Sequence, residues 1–283
     1  MNLKRCVGVS ASLIAASALT VSLIIAPTAE ATTSHGKRTA TFVGDDLHTL
    51  TYTKAGLFVT GHQSGSVSKD GGLTWKVVPS FKNVDVMAWA TTGNGYLAGG
   101  HNGLFRSINN GKSFTRFNFF GKVSDVHALG AAGKYVYMGS PQVGFLRSID
   151  NGKVWKVVNQ KFGQGFMGSM LVDPANPLRI IASDMDNGLV ISTDGGKRWS
   201  RFAGLNGVMS VDWNRKNPKE IVVLGMEAGA LTKDNGKTWS TFSVPKGASA
   251  IAFSPTGDKI SIALLRSAKA EIVSSVNGGK SWI

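Results

Sequence analysis

The chain has 283 residues, of which 42% are hydrophobic and 17% are charged, so it can bury a substantial core as one large domain or two small ones. Its formal net charge of +14 favours anionic partners, and its only cysteine is Cys6. Disulfides, thiolate metal ligands and cysteine nucleophiles are therefore excluded beyond the first residues.

The first residues have the pattern of an export signal. Lys4 and Arg5 precede an apolar run at residues 7–25, and residues 29–31 read Ala-Glu-Ala, which fits a small-x-small cleavage site. We assign residues 1–31 to a signal peptide and expect a secreted or cell-envelope protein. The apolar run is long enough that an uncleaved segment, holding the chain at a membrane, is the alternative.

Residues 32–283 carry one short motif six times. The copy at residues 192–199 reads Ser-Thr-Asp-Gly-Gly-Lys-Arg-Trp, and subtraction of residue numbers places successive Asp or Asn positions 39, 41, 44, 40 and 43 residues apart. An Asp or Asn side chain accepts backbone N–H bonds from residues just ahead of it, and a nearby Gly tolerates positive φ, so each copy predicts a tight hairpin. The six positions are Asp70, Asn109, Asp150, Asp194, Asp234 and Asn277.

Three short strand-like runs with Gly-rich turns lie between consecutive copies. Four short antiparallel strands in about 40 residues are typical of a propeller blade, and blades need neighbours to bury both faces. We predict an all-β, six-bladed β-propeller with one motif per blade, with seven blades as the alternative. Residues 38–44 would supply the outer strand that the sixth blade lacks, so an N-terminal strand would close the ring. The predicted blades are approximately residues 46–80, 84–119, 123–159, 165–202, 206–243 and 247–283 together with 38–44.

The motif pattern Ser-x-Asp-x-Gly-x-Thr-Trp resembles the Asp-box, or BNR, repeat of sialidases, other glycan-cleaving propellers, sortilin-type receptors and photosystem II assembly factors. The resemblance covers roughly residues 41–283 and implies a β-propeller, but no single activity, because these families differ in function. Sialidases also carry an arginine triad, an Arg-Ile-Pro signature and a Tyr-Glu nucleophile pair. Here Arg179 is followed by two isoleucines without a proline, and the tyrosines have no evident Glu partner. Ordinary sialidase activity is therefore not expected.

Alignment of the blades predicts which side chains converge around the central channel. If each blade begins with its innermost strand, the start of that strand and the turn after the second strand lie on one face, and the motif hairpins lie on the other. The strand starts provide His48, Met87, His127, Met167, Met209 and Ser249. The turns, counted eight residues before each motif Asp or Asn, provide His62, His101, Gln142, Asp186, Met226 and, more loosely, Lys269.

These histidines and methionines are candidate metal ligands. Imidazole and thioether together suit copper, whereas His with carboxylate would suit zinc or iron. The hypothesis is a site for copper or another transition metal ion, and the alternative is structural, with Met filling a crowded centre and His bonded to backbone in turns. The proposed ligands are His48, His62, His101, His127, Met87 and Met167.

Carboxylates near the same face favour a second alternative, a glycoside hydrolase-like enzyme. Such hydrolysis needs two carboxyl groups about 5 to 10 Å apart, one of them protonated. The candidates are Asp85 and Asp125, at matching places on consecutive blades, and Asp186. A recurrent Asp before an inner strand is equally a turn cap.

The function that the sequence favours is a binding or assembly module, exported, monomeric and non-catalytic, that works through its channel face. Its partner would be an envelope protein, a peptide or an anionic glycan. Nucleic acid is not expected, because no recognisable binding motif accompanies the positive charge. The hydrolase-like enzyme and the copper-binding protein remain the alternatives.

Overall fold

A computed structural model describes residues 39–116, 123–202 and 207–283. The predicted signal peptide, residues 1–31, lies outside the described residues, as do residues 117–119 of the second predicted blade and residue 206 of the fifth. The described part of the chain contains 24 strands and one short 3-10 helix, Pro79–Phe81. Within these ranges there is no helix with the length and hydrophobicity needed to cross a membrane.

The strands form six antiparallel units of four strands, numbered here in chain order. Unit one contains β2 (Leu47–Thr53), β3 (Gly56–Gly61), β4 (Gly65–Ser68) and β5 (Lys76–Val77), and unit two contains β6 (Ala88–Thr92), β7 (Gly95–Gly100), β8 (Gly103–Ser107) and β9 (Thr115–Arg116). Unit three contains β10 (Ala128–Ala132), β11 (Tyr135–Ser140), β12 (Gly144–Ser148) and β13 (Lys156–Asn159), and unit four contains β14 (Phe166–Val172), β15 (Ile180–Asp184), β16 (Gly188–Ser192) and β17 (Ser200–Arg201). Unit five contains β18 (Val208–Asn214), β19 (Asn217–Gly225), β20 (Ala228–Thr232) and β21 (Ser240–Ser243), and unit six contains β22 (Ala248–Phe253), β23 (Ile260–Arg266), β24 (Lys269–Ser275) and β1 (Thr41–Phe42).

The six units follow one another around a ring, and the fold is a β-propeller. The first strand of each unit contacts the first strand of the next, and β22 contacts β2, which closes the circle. Units three and four are also joined by a short parallel pairing of β10 with β14. In unit six the outermost strand comes from the other end of the chain, because Thr41 pairs with Ala270 and Phe42 with Lys269. The N-terminal closing strand that the sequence predicts is therefore present.

The second strand of each unit is largely buried on both faces, which explains its mainly apolar sequence. In β7, successive side chains point to opposite faces of the sheet. Leu97 packs in a cluster with Val136 and Met138 of unit three, whereas Ala98 packs in a cluster with Phe58 of unit one. Each unit thus depends on both neighbours for its core, as expected of a propeller blade.

The six repeated motifs form tight turns after the third strand of each unit, and in units one to five they connect it to the fourth strand. In every one, the hydroxyl of the first Ser or Thr donates to Oδ1 of the Asp or Asn at 2.7 to 3.0 Å. The same hydroxyl accepts the N–H of the Gly two residues after the Asp or Asn at 2.8 to 2.9 Å. In unit four, Asp194 also accepts the N–H of Arg198 at 3.0 Å. These bonds stay within each hairpin, so the motif acts as a turn.

The hairpin carboxylates predict a measurable acid response. Hydrogen bonds from the Thr238 side chain and backbone lower the pKa of Asp234 to about 2. A carboxyl with a lowered folded-state pKa stabilises the fold above its unfolded pKa of about 3.9, and loses this contribution as the pH falls towards 2. In Asp234→Asn the oxygen acceptor remains, as Asn109 and Asn277 show in their own hairpins. We expect the variant to melt slightly below wild type at pH 7, and the two melting temperatures to converge between pH 4 and 2. Circular dichroism melts across this range measure the difference, and a constant gap would contradict the prediction.

Candidate functional site

A cavity of about 490 Å³ lies where the inner strands begin. Its wall combines the first residues of these strands with the turns that follow the second strands, so both sets of positions meet on one face. The lining residues are Asp46, Leu47, His48, His62, Asp85, Met87, His101, Met167, Gly168, Met185, Gly207, Val208, Met209, Met226 and Ser249.

β-Bulges at the starts of the inner strands determine which residues line the cavity. In unit one, Leu47 pairs with Gly61 and Thr49 with Thr60, so His48 is an extra residue in β2 without a partner in the ladder. Met209 in β18 and Ser249 in β22 occupy the equivalent extra position. A bulge bends the strand and redirects the side chain of the extra residue. The same local irregularity in three units therefore places three side chains of the cavity wall.

Methionines form most of the apolar wall. Met185 and Met226 are 69% and 79% exposed, and both occupy turns after second strands. The eight-residue count predicts Asp186 instead of Met185, but Asp186 is exposed and is not among the lining residues. The turn of unit four begins nine residues before Asp194, so the count is wrong there by one. The Asp186 N–H donates to the Asp184 carboxylate at 3.0 Å, within this turn.

Imidazoles and carboxylates alternate across units one, two and three, in a row of which His48, Asp85 and His101 line the cavity. His48 Nε2 lies 3.1 Å from Asp85 Oδ1, and Asp85 Oδ2 lies 2.8 Å from His101 Nδ1. His101 Nε2 lies 3.9 Å from Asp125 Oδ1, which in turn is 2.9 Å from His127 Nε2. Asp85 is nearly fully buried, whereas His101 is half exposed. We call these five residues the His/Asp row.

Burial and charge set the protonation of two members of the row. Burial of Asp85 opposes its ionisation, but the hydrogen bond and charge of His48 and the charges of His101 and His62 outweigh it, so the pKa of Asp85 is below its usual value. Burial lowers the pKa of His127 below its usual value, and the opposing charge of Asp125 only partly offsets this. Asp85 is therefore an acceptor, and a neutral His127 is favoured.

The four predicted histidine ligands occupy different surroundings. The His101 and His127 rings lie 5.0 Å apart and group with Asp125, with one ligand atom from each of the three within 4.8 Å of the others. In the described ranges this is the one such group of His, Asp or Glu residues. His62 instead faces the exposed Asp45 at 3.2 Å, and His48 contacts Asp85. The predicted ligands Met87 and Met167 line the cavity.

The predicted carboxylates are likewise separated. Asp85 lines the cavity, Asp125 belongs to the His/Asp row outside its lining, and Asp186 lies in an exposed turn. The sequence predicts histidines in a metal site and carboxylates in a separate hydrolase site, whereas in the structure the two residue types alternate in the His/Asp row. The signal that connects them is the recurrent Asp-x-His or Asp-x-Met at strand starts, at residues 46–48, 85–87 and 125–127.

Comparisons with known proteins agree with the fold. No protein-family model matches the chain, and no curated protein matches it. Among solved structures, the GH74 enzyme of Niastella koreensis has a TM-score of 0.58 at 14% identity, over 87% of this chain and 55% of that one. The GH74 xyloglucanase of Xanthomonas campestris has a TM-score of 0.56 at 18% identity, over 87% of this chain and 46% of that one. This chain therefore spans about half the length of those enzymes.

Two further solved structures with a similar fold are of YCF48 and not of a GH74 enzyme. YCF48 from Cyanidioschyzon merolae has a TM-score of 0.55 at 16% identity, over 85% of each chain. A structure described as YCF48 bound to D1 peptide has a TM-score of 0.52 at 14% identity, over 73% of this chain and 67% of that one. At such identities the likeness shows the fold alone. The class of this protein is thus a β-propeller, and its activity has to be argued from its own residues.

Proposed function

We propose that this propeller is an exported, non-catalytic binding module that captures a peptide, or an extended segment of an envelope protein, at the methionine-lined cavity. The observation that carries the proposal is the cavity itself, of about 490 Å³, lined by five methionines together with aspartate and histidine side chains. Ligand pockets in proteins are typically 300–1,000 Å³, mostly apolar, with a few polar groups that orient the ligand.

The methionines give the cavity a surface that adapts to apolar side chains. Methionine has flexible, polarisable side chains and is used where one surface must accept several sequences. Met185 and Met226 are exposed at the cavity, and exposed apolar side chains that cluster are typical of binding sites. An apolar side chain of the peptide would enter between the methionines.

The charged side chains that line the cavity would orient the peptide. Asp46 is more than half exposed and lines the cavity beside His48, so its carboxylate is available to a basic side chain or an amino terminus. The structure described as YCF48 bound to D1 peptide supports a peptide as the partner class, since it is a propeller of similar fold. The preferred peptide combines an apolar residue with a basic group.

Peptide selection followed by titration tests this proposal. Random 12-residue peptides displayed on phage are selected on the purified chain, and the enriched peptides are labelled and titrated by fluorescence anisotropy. Met226→Ser and Met185→Ser remove apolar surface from the cavity, and we expect each to weaken binding by about 5- to 30-fold, which corresponds to about 1–2 kcal/mol of lost burial. The matched control is Ile108→Ser, which alters an equally exposed apolar side chain in the hairpin of unit two. Unchanged affinity in both methionine variants, or an equal loss in Ile108→Ser, would refute a binding role for the cavity.

The hydrolase alternative makes a different demand on the carboxylates. A glycoside hydrolase needs a carboxyl group that stays protonated close to neutral pH. Asp85 does not meet this demand because its pKa is lowered. Hydrolysis of a glycan by the purified chain, abolished by Asp125→Asn, would overturn the non-catalytic proposal.

A further inference from the structure

His101, Asp125 and His127 bring three metal-ligand atoms together at the junction of units two and three. His101 occupies the turn between β7 and β8, whereas Asp125 and His127 immediately precede β10. We propose that these three side chains form a zinc site, with His101 Nε2, His127 Nε2 and one Asp125 oxygen as ligands. The inference is independent of peptide binding and uses a ligand set different from the six histidines and methionines predicted from the sequence.

The spacing of the ligand atoms fits a tetrahedral ion. Zinc lies about 2.0–2.1 Å from imidazole nitrogen and carboxylate oxygen, so ligand atoms in a tetrahedral site are about 3.3 Å from one another. The Asp125 oxygen lies 2.9 Å from His127 Nε2 and 3.9 Å from His101 Nε2, on either side of that value. Small side-chain rotations bring all three into the first coordination sphere.

The surrounding contacts leave the proposed ligand atoms available. His127 Nε2 and Asp125 Oδ1 are buried and lie 2.9 Å apart, and neither has a hydrogen-bond partner beyond the other. A cation bound beside them would use both atoms as ligands in place of this single contact. His101 directs its other nitrogen, Nδ1, at Asp85 Oδ2 at 2.8 Å. This is the carboxylate–histidine arrangement that fixes the ring orientation of metal-bound histidines, so Asp85 is a positioning residue.

The donor set favours zinc over copper. Two imidazoles and one carboxylate match three-ligand zinc sites, which keep a fourth position open, and the set contains no thioether. The His101 side chain is 52% exposed, so solvent or a partner side chain can reach the fourth position. A bound ion would also bridge two units of the ring.

Metal reconstitution of the full mature chain tests the site. The protein is stripped with a chelator and titrated with Zn²⁺, Co²⁺ or Cu²⁺, with stoichiometry from elemental analysis and affinity from calorimetry. We expect one zinc per chain, visible d–d absorption of four-coordinate Co²⁺, and a melting temperature raised by about 5 °C or more at zinc concentrations a hundredfold above Kd.

Variants distinguish this zinc site from the copper site of histidines and methionines that the sequence predicts. We expect His127→Ala to weaken zinc binding at least 100-fold, Asp125→Asn at least tenfold, and Asp85→Asn by 10- to 100-fold through the orientation of His101. Asp125→Asn preserves side-chain shape, so it keeps the test valid if His127→Ala does not fold. The matched control His62→Ala removes an exposed histidine outside the group and should leave zinc affinity unchanged. Absence of bound zinc, an equal loss in His62→Ala, or preferential copper binding that Met87→Leu weakens would overturn the proposal.

Discussion

Phe145→Ala is expected to lower the free energy of unfolding by about 3–5 kcal/mol, the range for buried Phe-to-Ala substitutions that leave a cavity. Phe145 is completely buried in β12. Its ring stacks on Tyr137 at 5.5 Å between centroids and meets Phe166 and Trp199 edge-on at 5.8 and 5.0 Å. These partners come from units three and four, so the substitution opens the junction between two units and not only one sheet.

The neighbouring hairpin, in unit four, packs directly against the Phe145 ring. Gly196, at φ +89°, lies so close to the Phe145 ring that a Cβ on it would overlap the ring atoms. The hairpin therefore rests directly on the ring that Phe145→Ala removes. Denaturant titration followed by tryptophan fluorescence measures the loss, and Ile108→Ala, at a side chain 78% exposed, should shift the midpoint little. A loss below about 1 kcal/mol in Phe145→Ala would show that unit three does not depend on this contact.

The repeat explains why the fold is accessible from sequence. Each hairpin is stabilised by bonds within eight residues, as in residues 192–199, so its chemistry is visible locally. The spacing of the motifs then predicts a ring of blade-like units, and the ring in turn predicts closure through Thr41 and Phe42. Local turn chemistry and repeat period thus carry the architecture without any long-range information.

The site is only partly accessible from sequence, because its contacts join different units. The repeat alignment places His48 and Met87 at one repeat position and Met226 at a second, and all three line the cavity. It cannot show that Asp85 lies between His48 and His101, because that depends on the rotation of one unit against the next and on side-chain conformation. A fixed residue offset also cannot predict the bulge that makes His48 an extra residue in its strand.

Differences in turn length also make the fixed eight-residue offset unreliable. The turn after the second strand starts eight residues before the motif Asn at His101, but nine before the motif Asp at Met185. A fixed offset therefore selects Asp186, whose side chain is outside the cavity lining, and misses a methionine in its wall. Short turns tolerate single-residue insertions because they lie at the surface, whereas the paired strands beside them do not.

Gly100→Ala is expected to destabilise the fold by about 3 kcal/mol and to weaken zinc binding about tenfold in the same variant. A Cβ on Gly100, the last residue of β7, would overlap the backbone carbonyl oxygen of Asp85. Backbone atoms cannot rotate away as a side chain can, so the strand start carrying Asp85 has to shift, at a cost at or above the usual 1–3 kcal/mol of overpacking. The Gly100 carbonyl also accepts the N–H of Val126 at 3.2 Å, between Asp125 and His127. The clash therefore reaches both the residue that orients His101 and the strand start that supplies the other two ligands.

Gly61→Ala provides the matched control, because Gly61 ends β3 and a Cβ there would overlap the carbonyl oxygen of Asp46 in the same way. Its steric cost is comparable, but the displaced strand start belongs to unit one and supplies none of the three proposed zinc ligands. Gly61 reaches Asp85 only through its carbonyl, which accepts the N–H of Val86 at 3.3 Å. Thermal melts should therefore show similar destabilisation in the two variants, while calorimetric zinc titration separates them, with a smaller loss of zinc affinity in Gly61→Ala than in Gly100→Ala. Wild-type zinc affinity in Gly100→Ala would mean that the position of Asp85 does not control His101. A Gly100→Ala variant as stable as wild type would mean that the close approach of β7 to the Asp85 carbonyl is not required by the fold.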